Sequence, residues 1–214
     1  MTLSTRLLLV ATIAGASLGA EPASIQPSKP ELTIRLYDYA DMAQGTLERS
    51  RRQADEVLTR AGLQINWQVC PISNEEAKVN RECARRADVD TIQLRILSKE
   101  MAKKMTNRGI EFGYAVALTE GFGVVAGVYY DRTVREANSI GLAPHVMLGH
   151  TIAHEVGHLL LGQQSHSSSG IMSPNWREKE VDLAKKGGFV FTSQQADDMR
   201  KQAMARLEAA VKAQ

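Results

Sequence analysis

His154-Glu155-Val156-Gly157-His158 reads HEVGH; His166 follows eight positions after His158, and Gly170-Ile171-Met172-Ser173-Pro174 (GIMSP) comes soon after it. On a helix, positions i and i+4 lie one above the other on the same face, so His154 and His158 can bind one metal ion together. Glu155 projects from the neighbouring edge, within reach of a water beside that ion. Two imidazole ligands and a general base thus come from a single helical turn, which is the physical content of a HExxH segment.

The flanks agree with a helix. Val146 to Ala153 is largely apolar, and Leu159-Leu160-Leu161 continues the run. The pattern predicts a helix from about Pro144 to Leu161, stopped at Gly162, a residue that tolerates a left-handed backbone. A reversal there lets His166 return toward the first two imidazoles. All five histidines lie between His145 and His166. His150 is four residues before His154 and shares its face. The glutamate follows His154, however, and the downstream histidine and methionine align with the 154/158 pair. His150 therefore reads as a buried or supporting residue and His145 as a helix-start residue, with neither in the site. The bland alternative is an apolar core helix with scattered histidines.

HEVGH, Gly162, His166 and GIMSP together resemble the zinc signature and Met-turn of the metzincin metalloproteases. The Ser165-His166-Ser167 and Ile171-Met172-Ser173-Pro174 parts are similar to matrix metalloproteases in particular. The resemblance covers about residues 145–176. It implies Zn²⁺ held by His154, His158 and His166, with Glu155 as catalytic base and Met172 packed beneath the ligands without binding the metal. The spacing departs from the family's HExxHxxGxxH: Gly162 comes one position late and His166 two, and Gln164 stands where the third ligand usually falls. A related group of zinc enzymes takes its third ligand from a later glutamate, which makes Glu178 and Glu180 rivals to His166. For oxyanion stabilisation Tyr129 and Tyr130 are candidates, with core packing as their plainer role.

The resemblance further implies an α+β fold: a mixed, twisted sheet of four to five strands with a backing helix, an active-site helix, the Met-turn and a C-terminal helix. Periodicity supplies the same elements. Strands are predicted at 32–37, 65–69, 91–97, 112–118 and 123–130. Helices are predicted at 43–61 and, after an N-cap at Thr192-Ser193, at 194–212, with Ala196, Met199, Ala203 and Leu207 on one side. Residues 98–104 read as a helical turn, 132–140 as helix or loop, and Trp176 to Asp182 as the start of a short helix. In metzincins an edge strand above the active-site helix binds extended peptide by strand addition. The segment Gly123 to Tyr130 is the candidate here, because its glycines would let a substrate backbone approach; an ordinary core strand with a bulge is the equal alternative.

The chain has 214 residues, enough for one domain with a full hydrophobic core, and a net charge of +2. No block of like charge marks a nucleic-acid surface. Arg6 followed by the apolar run Leu7 to Ala16 and small residues to Ala20 has the form of a signal peptide. The expected organisation is therefore a signal peptide at 1–20, a Pro/Ser-rich linker at 21–30 and a catalytic domain at 31–214. Such a chain is expected to be secreted or periplasmic, monomeric and without stable membrane association once cleaved. In an oxidising compartment the only two cysteines, Cys70 and Cys83, are expected to form a disulfide. The expected function is a secreted zinc endopeptidase acting on peptide or protein substrates. Two alternatives stay open: an exported zinc-binding or partner-binding protein without useful turnover, and a metal hydrolase of non-peptide amides.

Overall fold

The structure, a computed structural model, describes residues 29–85, 88–105, 111–116 and 122–212. The signal segment 1–20 and nearly all of the linker lie outside these residues. Five strands, β1 (Glu31–Asp38), β2 (Gln64–Cys70), β3 (Thr91–Leu97), β4 (Gly113–Val116) and β5 (Val125–Tyr129), form one sheet in the order β2-β1-β3-β5-β4. Neighbours are parallel except β4, which runs antiparallel to β5. The helices are α1 (Gln44–Arg60), α2 (Asn74–Val79), α3 (Arg81–Ala84), α4 (Lys99–Met105), α5 (Tyr130–Ser139), α6 (Pro144–Leu161), α7 (Glu178–Lys185) and α8 (Ser193–Lys212). The architecture is α+β with a five-stranded mixed sheet.

Alternation along the strands builds the core. Leu32, Ile34 and Leu36 of β1, Ile92, Leu94 and Ile96 of β3, and Ala126 and Val128 of β5 are fully buried. They stand in register, Ile34 beside Ile92, Leu94 beside Ala126 and Ile96 beside Val128. All therefore point to one face, and α1 and α6 pack there. Helix α6 is buried almost without interruption from Met147 to Leu160, as expected of a helix that is apolar on every side. It approaches α1 closely because Gly149 has no side chain: a Cβ there would lie 2.4 Å from that of Gln53.

Two sequence expectations need correction, the edge strand and the buried side of the last helix, while the open reading of 132–140 is decided and the cap and cysteine expectations hold. The candidate edge strand is interior: β5 lies between β3 and β4, and the edge belongs to the short β4. The glycine in β5 serves another purpose, since a Cβ on Gly127 would stand 2.3 Å from the ring of Tyr114. Residues 130–139 are helical. In α8 the buried side includes Arg206, whereas Leu207 is half-buried. Thr192 caps this helix, its hydroxyl accepting from Gln195 N while Gln195 Oε1 accepts from Thr192 N. Cys70 and Cys83 are joined. No helix among the described residues is long and apolar enough to cross a membrane.

Arg206 is completely buried and donates to three carbonyls from separate parts of the chain: Val89, Gly123 and Leu159. Its guanidinium also lies 5.1 Å from the Phe122 ring centre. Burial lowers its pKa to about 10. It thereby ties α8 to the end of α6 and to the approach to β5. Replacing it with methionine keeps the bulk and strands the three acceptors. With hydrogen bonds to charged groups worth about 1.5–3 kcal/mol each, R206M is expected to lose at least about 3 kcal/mol in urea denaturation. A loss below about 1 kcal/mol would refute the tie.

Candidate metal centre

Helix α6 supplies His154 and His158 one turn apart. The chain then leaves the helix at Gly162, whose φ of +94° is strained for any residue with a side chain. It turns through the exposed Gln163 and Gln164, where the two extra residues are accommodated, and Ser165 Oγ closes the turn by donating to Gly162 O at 2.7 Å. His166 is thereby returned to the helix. His158 Nε2 lies 3.1 Å from His154 Nε2 and 3.1 Å from His166 Nε2. Tetrahedral zinc with bonds of about 2.0–2.1 Å spaces its ligand nitrogens by about 3.3 Å, so the cluster has the right size. Among the described residues this is the one group of three or more His, Cys, Asp or Glu side chains able to hold a metal ion.

The other ring nitrogens set the tautomers. His154 Nδ1 donates to Ile171 O at 2.7 Å. His158 Nδ1 donates to Ser165 Oγ at 3.0 Å, with Gly162 O behind at 3.3 Å. A proton on Nδ1 leaves Nε2 with a bare lone pair, the form a metal requires. Lone pairs facing one another at 3.1 Å repel, and a cation between them removes the repulsion. The donor set therefore fits zinc.

The Met-turn braces this arrangement from beneath α6. Met172 is fully buried, and a Cβ on Gly157 would lie 2.6 Å from its sulfur, so the glycine between the two helical histidines is what admits it. Gly170, at φ +73°, makes the bend, with Ser173 N donating to Gly170 O. The same turn presents Ile171 O to His154.

Glu155 is buried beneath β4, the edge strand of the sheet among the described residues. A Cβ on Gly113 would stand 2.5 Å from Glu155 Oε1, so β4 can cross the carboxylate only because it carries glycine there. A cleft of about 830 Å³ runs along this line, bounded by β4, the cleft-facing side of α6 at Thr151, His154, Glu155 and His158, and the segment Ser173 to Trp176. Burial pushes the Glu155 carboxyl up to about 8 and His154 down to about 4, and it lowers His158.

The other candidates fall elsewhere. Glu178 is exposed, and Glu180 Oε2 accepts from Arg177 N at 3.0 Å, capping α7; neither is in the cluster. His150 is fully buried, donates from Nδ1 to Val146 O, and packs against Trp176 and Phe189. His145 is half-buried near the start of α6. Tyr129 sits on the sheet face opposite Ala126 and Val128, against Tyr114 and under Arg132. Tyr130 opens α5. Neither tyrosine lines the cleft. Sequence reading missed Gly113, Thr151 and Ser165, whose roles depend on what the fold sets beside them.

The pKa shifts give the metal-free protein a distinctive pH profile. Between pH 6.5 and about 4 the unfolded chain takes up a proton at His154 that the folded chain refuses, so stability falls as pH drops through that window. His150 and His158 are lowered by burial in the same sense. Glu155 acts oppositely. Its folded-state value of about 8 against an ordinary 4.5 means stability is lost as pH rises from 4.5 through 8. Several histidines outweigh one carboxyl on the acid side. Chelator-treated protein is expected to be most stable near pH 6.5, and E155Q to lose the alkaline decline while keeping the acid one. Thermal denaturation against pH checks this; an unchanged alkaline decline in E155Q would exclude Glu155 as its source.

No protein-family model matches the chain, and no curated protein sequence matches it. Among solved structures it is similar to an archaemetzincin from Methanopyrus kandleri, at 12% identity, 83% coverage of this chain, 98% of that one and a TM-score of 0.47. It is also similar to a zinc-dependent peptidase from Methanocorpusculum labreanum, at 14% identity, 78% and 99% coverage and a TM-score of 0.43. At such identities, substrate and reaction have to be read from this chain's own site.

Proposed function

We propose that the protein is a zinc-dependent, metzincin-like endopeptidase that hydrolyses extended peptide substrates. The observation that carries this reading is a buried carboxyl, Glu155, set between a three-imidazole cluster and a free strand edge. A site that merely held an ion would need the imidazoles alone.

His154, His158 and His166 would hold zinc. When bound, zinc lowers the pKa of water toward about 7 and polarises a carbonyl. The chain's own groups do the rest. Glu155, next to His154, takes a proton from the attacking water as the water oxygen bonds to the scissile carbonyl carbon. It then passes that proton to the amide nitrogen as the C–N bond breaks, so that an acid and an amine leave. With zinc beside it, the carboxyl's burial is opposed by a close positive charge, which favours the ionised, proton-accepting form. The low dielectric of the cleft keeps the carboxyl basic enough to act. Among the described residues strand β4 pairs with β5 alone, so its other edge would offer backbone N–H and C=O groups to an extended peptide. This edge favours peptides over non-peptide amides. The Leu7 to Ala16 run and the Cys70–Cys83 disulfide support export to the periplasm or beyond.

Zinc-loaded protein is expected to digest casein and to stop on addition of a chelator. E155Q should retain its zinc and lose at least about a hundredfold in rate. H154A and H158A should lose zinc as measured by elemental analysis. Full activity in E155Q would overturn the assigned base; undiminished zinc in both histidine variants would overturn the metal site.

A further inference from the structure

Of the three imidazoles, His166 is the one whose own ring is not braced. Its side chain is exposed, and among the described residues its Nδ1 has no hydrogen-bond partner. His154 and His158 are instead fixed through Ile171 O and Ser165 Oγ. The place of His166 is therefore set by the chain on either side of it. The segment 163–169 is bounded by Gly162 and Gly170, at φ +94° and +73°. Ahead of His166, Ser165 binds back to Gly162 O and to His158. Behind it, Ser167 N donates to Met172 O at 3.1 Å, and Ser167 Oγ accepts from Gln195 Nε2 at 2.9 Å. The one hydroxyl hydrogen of Ser167 goes to Ser169 O at 2.7 Å, so toward Gln195 the Oγ is an acceptor.

Gln195 is the third residue of α8, and both ends of its carboxamide are used. Oε1 accepts from Thr192 N at 3.0 Å while Nε2 donates to Ser167. Thr192 N can only donate, which fixes the way the amide points. The reciprocal bond, Gln195 N to Thr192 Oγ1, completes a capping box that needs only the amide oxygen. The amide nitrogen is left over from the cap and is spent on the loop. Helix α8 is itself tied to the helix bearing the other two ligands, because Arg206 donates to Leu159 O, one residue after His158. A bonded path thus runs from α6 through α8 and Gln195 to the residue beside His166.

We infer that Gln195 is a positioning residue for the metal centre: through Ser167 it holds the third ligand in place and governs how readily the ion leaves. This rests on the reading of His166 as a zinc ligand and adds a control of metal exchange from outside the cluster. An ion leaves a three-imidazole site when one ring lets go first. The exposed, unbraced ring on a glycine-bounded segment has the least to hold it.

The test uses the zinc-loaded full chain and follows transfer of zinc to a chromogenic chelator. The visible spectrum of the cobalt-substituted protein is a second readout. S167A removes the acceptor and leaves the α8 cap whole. It is expected to release zinc about tenfold faster, the low end of the loss that follows removal of a ligand's outer partner. Its cobalt spectrum should move toward that of H166A. S167T, which restores the hydroxyl, should return both readouts to wild type. Q195A should match S167A in release rate, and the double variant should add nothing further. T192A, which weakens the cap but spares Gln195 and Ser167, should release zinc at the wild-type rate while melting earlier. Release from S167A and Q195A within about twofold of wild type overturns the inference and leaves the metal site standing. So does equal acceleration in T192A, which would trace the effect to helix stability. If H166A holds zinc and cobalt as the wild type does, the third-ligand assignment falls and this inference with it.

Discussion

Three imidazole nitrogens gathered on one point, with His158 Nε2 3.1 Å from each of the other two, are the constraint to which the rest of this molecule answers. Neutral rings do not adopt that arrangement unaided. Each helical ring is fixed by what its far nitrogen touches: a Met-turn carbonyl for His154, and a serine hydroxyl with a helix-end carbonyl behind it for His158. The ligand geometry therefore originates in the backbone path from 162 to 173 as much as in the helix. His158 and Ser165 show this most directly, since the serine that closes the turn also accepts from the ring.

Close approach between layers comes from missing side chains. Gly149 lets α6 settle on α1, Gly157 admits Met172 beneath the ligands, and Gly113 lets β4 pass over Glu155. These three glycines face three different elements around one buried helix, so α6 is confined from several sides. None of the three contacts is visible as a motif, because a glycine in a helix or strand records the absence of a group and not the neighbour that requires it. Arg206 completes the confinement at the C-terminal end by donating to Leu159 O, one residue after a ligand.

Much of this was legible in the sequence, and the limits have physical causes. The HEVGH segment and Gly162 define α6 from Pro144 to Leu161 because apolar content, spacing and stop residue all agree. Strand β3 is equally plain from its alternation. Sheet order was not legible. Alternation tells which side chains share a face but not which strand is outermost, so it does not distinguish the interior β5 from the edge strand β4. Alternation does place Tyr129 on the sheet face away from α6, since it has the opposite parity to Ala126 and Val128. Arg206 escaped notice because a periodic pattern assigns arginine to the solvated side of a helix. Only the fold reveals three carbonyls waiting inside. Glu180 misled for the converse reason: its charge suggests a ligand, while its position three residues after Arg177 makes it a cap.

The same cap links the two ends of the site. Glu180 fixes the start of α7, and α7 fixes the exit of the segment that began at the Met-turn. Between those points lie Ile171, whose carbonyl orients His154, Met172, which underlies the helix, and Trp176, which walls the cleft. Ligand orientation and cleft shape are thus properties of one short stretch of chain, anchored at Gly170 and at Arg177. Changes within that stretch alter metal binding and substrate fit together unless they touch only the outward face of a side chain. Trp176 has such a face, because Phe189 and His150 hold its inner side and the cleft meets the other. With Pro174 and Asn175 it therefore lines the cleft without orienting any of the three imidazoles.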